Sequence, residues 1–167
     1  MNKLVIVFLA AIGAAGVAQA QIKVAIINSQ KALLETEEIK KAQKDMEARF
    51  KPRQDQMAKL EKDLQDIQTQ LQSGKLNQVG EQELNATGQR KQRDLQRLQQ
   101  DLQEDVDRER NDILQRAGTR MQDVVKKLAD EKGLDLVIDS ANTIFFKPTF
   151  DITPEAVTAY NKAYPVK

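Results

Sequence analysis

There is no cysteine and no histidine in this chain of 167 residues. Without cysteine no disulfide staples the fold, so it must hold together by packing alone. Without either residue the commonest general base, the thiol nucleophile and the usual zinc ligands are all missing. Acid pairs such as Glu37/Glu38 and Asp105/Asp107 remain, but they sit in charged stretches that read as solvated helix faces, with no pocket implied to shift their pKa values. No Gly-rich phosphate loop of the form GxxxxGK[ST] occurs. The chain therefore reads as a non-enzyme with no cofactor and no metal.

Long apolar runs are also scarce. The single one is LVIVFLAAIGAAGV, preceded by a basic start and followed by Ala18-Gln19-Ala20. A short apolar core ending in small-x-small is the pattern of a secretory signal peptide, and it is short for a span of roughly 20 residues. Residues 1–20 are expected to be a signal cut after Ala20, with Ala18 and Ala20 as the cleavage residues. No cysteine follows to be acylated. The mature chain is expected to be exported, with the periplasm as its compartment. Loss of Lys3 takes the basic count from 26 to 25, equal to the 25 acids. A net charge of zero supplies no field for non-specific nucleic-acid binding, so no nucleic-acid partner is expected.

Aromatic residues make up only 4% of the chain. Five of the six that lie beyond the signal (Phe145, Phe146, Phe150, Tyr160, Tyr164) cluster near the end. What fills the middle is Gln, Lys, Arg, Asp and Glu on two apolar stripes. Met57, Leu60, Leu64, Ile67 and Leu71 step by 3 and 4, the spacing of a coiled-coil seam. A second stripe runs Leu84, Leu95, Leu98, Leu102, Val106, Ile113, Ala117, Met121, Val124, Leu128. Between them SGKLNQVGEQ, bracketed by Gly74 and Gly80, reads as a loop. The two helices should fold back as an antiparallel hairpin. Pro52 predicts a kink, and Gly88 and Gly118 mark places where the second helix can bend.

The ends differ from the middle. KVAII is a short β-branched run that suits a strand. Asn28 or Ser29 then caps a short helix near 29–35, and Thr36 with Glu37 and Glu38 opens the long one. After a Gly133 C-cap, Leu134, Leu136 and Ile138 alternate with acids as one strand, and Asn142–Phe146 reads as another. Thr153-Pro154-Glu155 looks like the N-cap, proline and acid of a last helix. The expected fold is α+β, mainly α. A body from 21–35 and 130–167 carries a hairpin arm over 36–129, with its tip near 73–81. So small a body is marginal alone, and its strand edges need cover. An obligate homo-oligomer follows, with Val24, Ile26, Leu136, Ile138, Ile144 and Phe146 as its body residues.

This layout resembles the Skp/OmpH family of periplasmic chaperones. The resemblance rests on the signal, KVAIINSQKAL (Lys23–Leu33), the Gln-rich hairpin, DLVIDSANTIFF (Asp135–Phe146) and DITPEAV (Asp151–Val157), and it spans essentially the whole mature chain. It implies a trimer sharing a small β-barrel, with three arms enclosing unfolded outer-membrane proteins, and an ATP-independent holdase. Well-known members are basic, whereas this mature chain is neutral. Met46, Phe50 and Met57 are the candidate client contacts, read against simple filling of the seam. Arg90, Lys91, Arg93 and Arg97 form the best local basic stretch, read either as a solvated face or as a patch for anionic lipid or client charge. The rival function is an exported coiled-coil adaptor docking one folded partner; the polar tip, with Leu76 and Val79 alone apolar, argues against it.

Overall fold

The computed structural model of the chain describes residues 22–166. The export signal, with Ala18 and Ala20, lies outside the described residues. The chain opens with strand β1 (Val24–Ile27), whose Ala25, Ile26 and Ile27 are all buried. Helix α1 (Ser29–Leu34) follows at once, with the Asn28 side chain accepting from the Lys31 N–H. Thr36 then starts α2 (Glu37–Gln72). Its hydroxyl accepts from the Ile39 N–H and donates to the Leu33 carbonyl, so this fully buried cap is satisfied on both sides. Losing such a cap costs about 1 kcal/mol.

Helix α3 (Gln78–Lys132) has 55 residues against 36 for α2. At 1.5 Å per residue these are about 82 and 54 Å long, so the C-terminal part of α3 runs past the base of α2 into the body. The turn between them is residues 73–77, shorter than the loop expected over 73–81, because Asn77 caps α3 through the Gly80 N–H and draws Gly80 into the first turn. Gly74 takes φ 66° there, and Gly133 takes φ 61° at the far end of α3. Both are left-handed positions that favour glycine.

The seams form as spaced. Leu95, Ile113, Ala117, Met121 and Val124 are buried on α3 and Ile39, Phe50 and Ile67 on α2, while Met57, Leu60, Leu64 and Leu71 are half-buried. Two helices cover each other on one side only, which is why the arm's seam stays partly open and full burial is reached mainly where the body adds a third layer. Pro52 does not end α2, which is assigned as one helix throughout. Gly118 has open space around it, whereas a Cβ at Gly88 would sit 3.3 Å from Ile67 Cγ2, so Gly88 lets the two helices approach.

Strand β2 (Leu136–Asp139) pairs in parallel with β1, Val24 opposite Leu136 through Ile27 opposite Asp139. Parallel neighbours require a long crossover, and here the crossover is the whole hairpin. The junction is tied at both ends: the Lys23 N–H donates to Asp135 and the Ser29 N–H to Asp139. Helix α4 (Thr153–Ala163) closes the core, burying Ala156 and Tyr160 against Ala32, Ala117 and Met121.

Two expectations are corrected here. Asn142–Phe146 is not a strand: Asp139 accepts from the Ala141 N–H, a 3-10 turn forms over Ser140–Asn142, and the following residues find no strand partner among the described residues. Thr153 is the first residue of α4 rather than its cap. Its hydroxyl accepts from the Asn28 N–H, and Asp151 accepts the Thr153 N–H in its place.

Candidate functional site

The base of the arm is where three helices meet, and Glu38 stands at their junction. Both its carboxylate oxygens accept from Arg120 Nη1 at 2.9 Å, one of them also accepts from the Tyr160 hydroxyl at 2.6 Å, and Arg116 Nε lies 3.5 Å away. Glu38 comes from the first turn of α2, the arginines from α3 and the tyrosine from α4. The Arg120 guanidinium also stacks 4.8 Å over the Tyr164 ring, a favourable cation–π geometry. Burial pushes the Glu38 carboxyl up, but the Tyr160 and Arg120 hydrogen bonds and the charges of Arg120 and Arg116 outweigh it and hold the group below the usual glutamate value. Burial, together with the bond to Glu38, pushes the Tyr160 hydroxyl up. Sequence reasoning placed Glu38 at a helix N-terminus and missed this cluster, since its partners lie 82 and 122 residues away.

Further along the arm, more ion pairs lace the helices. Arg49 meets Glu109, Arg53 meets Asp105, and Lys91 meets Asp63 at 2.6 Å. The hydrogen bonds from Lys91 and Arg53 hold Asp63 and Asp105 below the usual carboxylate range. Pairs this exposed are screened by solvent and add little to stability. Between the helices near the base lie two hollows. One, about 490 Å³, is walled by Arg49, Arg53, Arg108 and Arg116 with Asp105, Glu109 and Asp112. The other, about 290 Å³, is walled mainly by Leu34, Ile39, Met46, Ile113 and Leu114.

The residues singled out from sequence fall as follows. Met46 is half-buried on the wall of the smaller hollow, and Met57 is half-buried in the seam. Phe50 is 5% exposed, with the Arg53 guanidinium 6.0 Å from its ring centre, so in this closed hairpin the ring is seam packing and not an exposed contact. The basic stretch is not left as one free patch. Lys91 turns across the hairpin to Asp63, Arg97 lies 3.6 Å from Asp101, and Arg90 donates to Thr87. Arg93 is exposed. Among the described residues no group of three or more acids is placed to hold a metal ion.

On the body, Ile26 is buried and Val24, Ile138 and Phe146 are half-buried, but Leu136, Ile144 and Phe145 face solvent. Ile144 is fully exposed and Phe145 is 79% exposed. The far side of β1 is bridged by Asp151, whereas among the described residues β2 pairs with β1 alone. An open strand edge thus stands beside large exposed apolar side chains.

The same combination of a small two-stranded body and a long helical hairpin occurs in known proteins. The family model described as "Outer membrane protein (OmpH-like)" matches residues 23–160, taking in both strands and the whole arm. This chain belongs to the OmpH-like family. A Skp-like protein of Pseudomonas aeruginosa is 30% identical over 155 residues, covering 92% of each chain. The crystal structure of an OmpH-like protein from Caulobacter crescentus CB15 superposes with a TM-score of 0.73 over 89% of each chain, at 18% identity. The OmpH-like fold is thus kept where four residues in five differ. That Caulobacter protein carries the description of an OmpH-like outer membrane chaperone.

Proposed function

We propose that this OmpH-like protein is an ATP-independent holdase of the periplasm, acting as a homo-oligomer whose arms enclose unfolded outer-membrane β-barrel proteins and keep them from aggregating on their way to insertion. The observation that carries this reading is the division of the chain into a long, polar, catalytically bare arm and a body whose apolar strand edge stands open. Joining the open edges of several copies, three by family resemblance, covers Leu136, Ile144 and Phe145 and sets the arms around a common space. Unfolded barrel proteins expose alternating apolar strands that pair edge to edge, so physical separation prevents their aggregation and no nucleotide is required. Anionic lipid contributes little, because the mature charge is balanced and much of the basic stretch is paired within the arm.

The test dilutes a urea-unfolded outer-membrane barrel protein into mature protein, from Gln21 onward, without nucleotide. Light scattering should vanish near one oligomer per client. Scattering unchanged at every ratio would overturn the reading and turn attention to a single folded partner.

A further inference from the structure

We propose that the smaller hollow at the base of the arm is a binding groove for an extended segment of an unfolded polypeptide, one apolar side chain entering it and an acidic side chain meeting Arg110; this rests on the holdase reading. The groove lies between α2 and α3 where α1 ends. Buried Ile39 and Ile113 form its floor, half-buried Met46 and Leu114 and exposed Leu34 its walls, and Gln43 and Arg110 its rim. At about 290 Å³ it is at the small end of sites that enclose a whole ligand, roughly 300–1,000 Å³, a size suited to one or two side chains.

Two further observations identify the occupant. The first is that the arm is otherwise polar outside its seam: among the described residues of α2 and α3, the exposed large hydrophobic residue is Val79, at the tip. An apolar side chain reaching the arm therefore meets either the partly open seam or this groove, where apolar walls from three helices converge. The second is charge. In the larger hollow Arg49, Arg53, Arg108 and Arg116 each face a carboxylate. No acid lines the groove, and Arg110 has no ion-pair partner among the described residues. An extended chain carries residues i and i+2 on one face, about 7 Å apart. A segment with an apolar residue and an acid two positions away fits both the floor and the rim. Met46, unbranched and adaptable, accommodates side chains of different shape.

The absence of cysteine makes the test clean. A single Gln43→Cys, on the rim, carries a maleimide–benzophenone; a single Gln99→Cys, exposed on α3 away from the groove, serves as control. Each labelled protein receives a urea-unfolded outer-membrane barrel protein and is irradiated. Client adducts should concentrate at position 43. Arg110→Gln combined with Leu34→Gln, both at exposed positions, should cut them about fivefold, the worth of one modest contact, with helical circular dichroism unchanged. Equal adducts at 43 and 99, with scattering still suppressed, would overturn the groove and leave the holdase standing. Adducts at 43 between copies of the chaperone, formed in place of client adducts, would also overturn it, showing the groove covered by a second subunit. Scattering that the parent protein fails to suppress would instead remove the holdase reading itself.

Discussion

Single residues in this chain divide into those that obey local rules and those whose role is set from afar. Gly118 belongs to the first kind. It sits inside α3 with nothing within 4 Å of the place an added methyl group would occupy. Gly118→Ala should stabilise the protein by about 1 kcal/mol, read as a higher urea midpoint. Gly88→Ala should gain much less, because its methyl group meets Ile67. Glu38 belongs to the second kind. Its folded pKa is lowered, so the stability it supplies is full above the ordinary glutamate value and is given up as pH falls through the lowered one. Glu38→Gln should therefore flatten the acid side of the stability profile, measured by urea titrations between neutral pH and pH about 3. Tyr160→Phe removes a buried donor to that carboxylate and should cost about 1.5–3 kcal/mol at neutral pH. The caps at Asn28, Thr36 and Gly133 were legible because each is a matter of three or four neighbouring residues. The Glu38 cluster was not, since no local pattern tells which helix a distant arginine will face.

At the scale of elements, stripe spacing carried the hairpin. Residues separated by 3 and 4 along α2 and α3 are the ones the structure turns inward, with the best-buried positions where α3 enters the body. The second strand after α3 failed for a physical reason: an extended run needs a partner edge, and among the described residues Asn142–Phe146 has none. Pro52 shows how an element survives a broken rule. It lacks the N–H that would serve the Ala48 carbonyl, yet α2 continues because the seam on either side holds it. Pro52→Ala should restore that bond at an exposed position and stabilise the arm by up to about 3 kcal/mol. Hydrogen exchange of the amides from 48 to 56 should slow accordingly.

For the whole molecule, the open side of the sheet decides the outcome. Ile144 and Phe145 contribute nothing to this chain's own core, being exposed by 107% and 79%. Ile144→Asp with Phe145→Asp should therefore leave helical circular dichroism intact while light scattering coupled to size exclusion reports loss of the proposed oligomer. Persistence of the oligomer would place the assembly surface elsewhere. The candidate groove was only partly legible in the sequence: Met46 stood out as a contact candidate against seam filling, but no local pattern brings Leu34 and Leu114 beside it from two other helices.

The joining of β1 to β2 has a consequence for how the chain acquires its shape. The bond from the Lys23 N–H to Asp135 spans 112 residues, and closing so long a loop from an open chain is entropically costly and slow. Contacts of short sequence separation exist at the opposite extreme, around the turn at 73–77. Zippering from that turn brings the base of α2 against Arg116 and Arg120 of α3 step by step, leaving α1 and the last turns of α3 between the two strands. Folding then proceeds from the tip inward. The strand made first by the ribosome is among the last to find its partner, and the sheet that seals the body forms once the arm is already built.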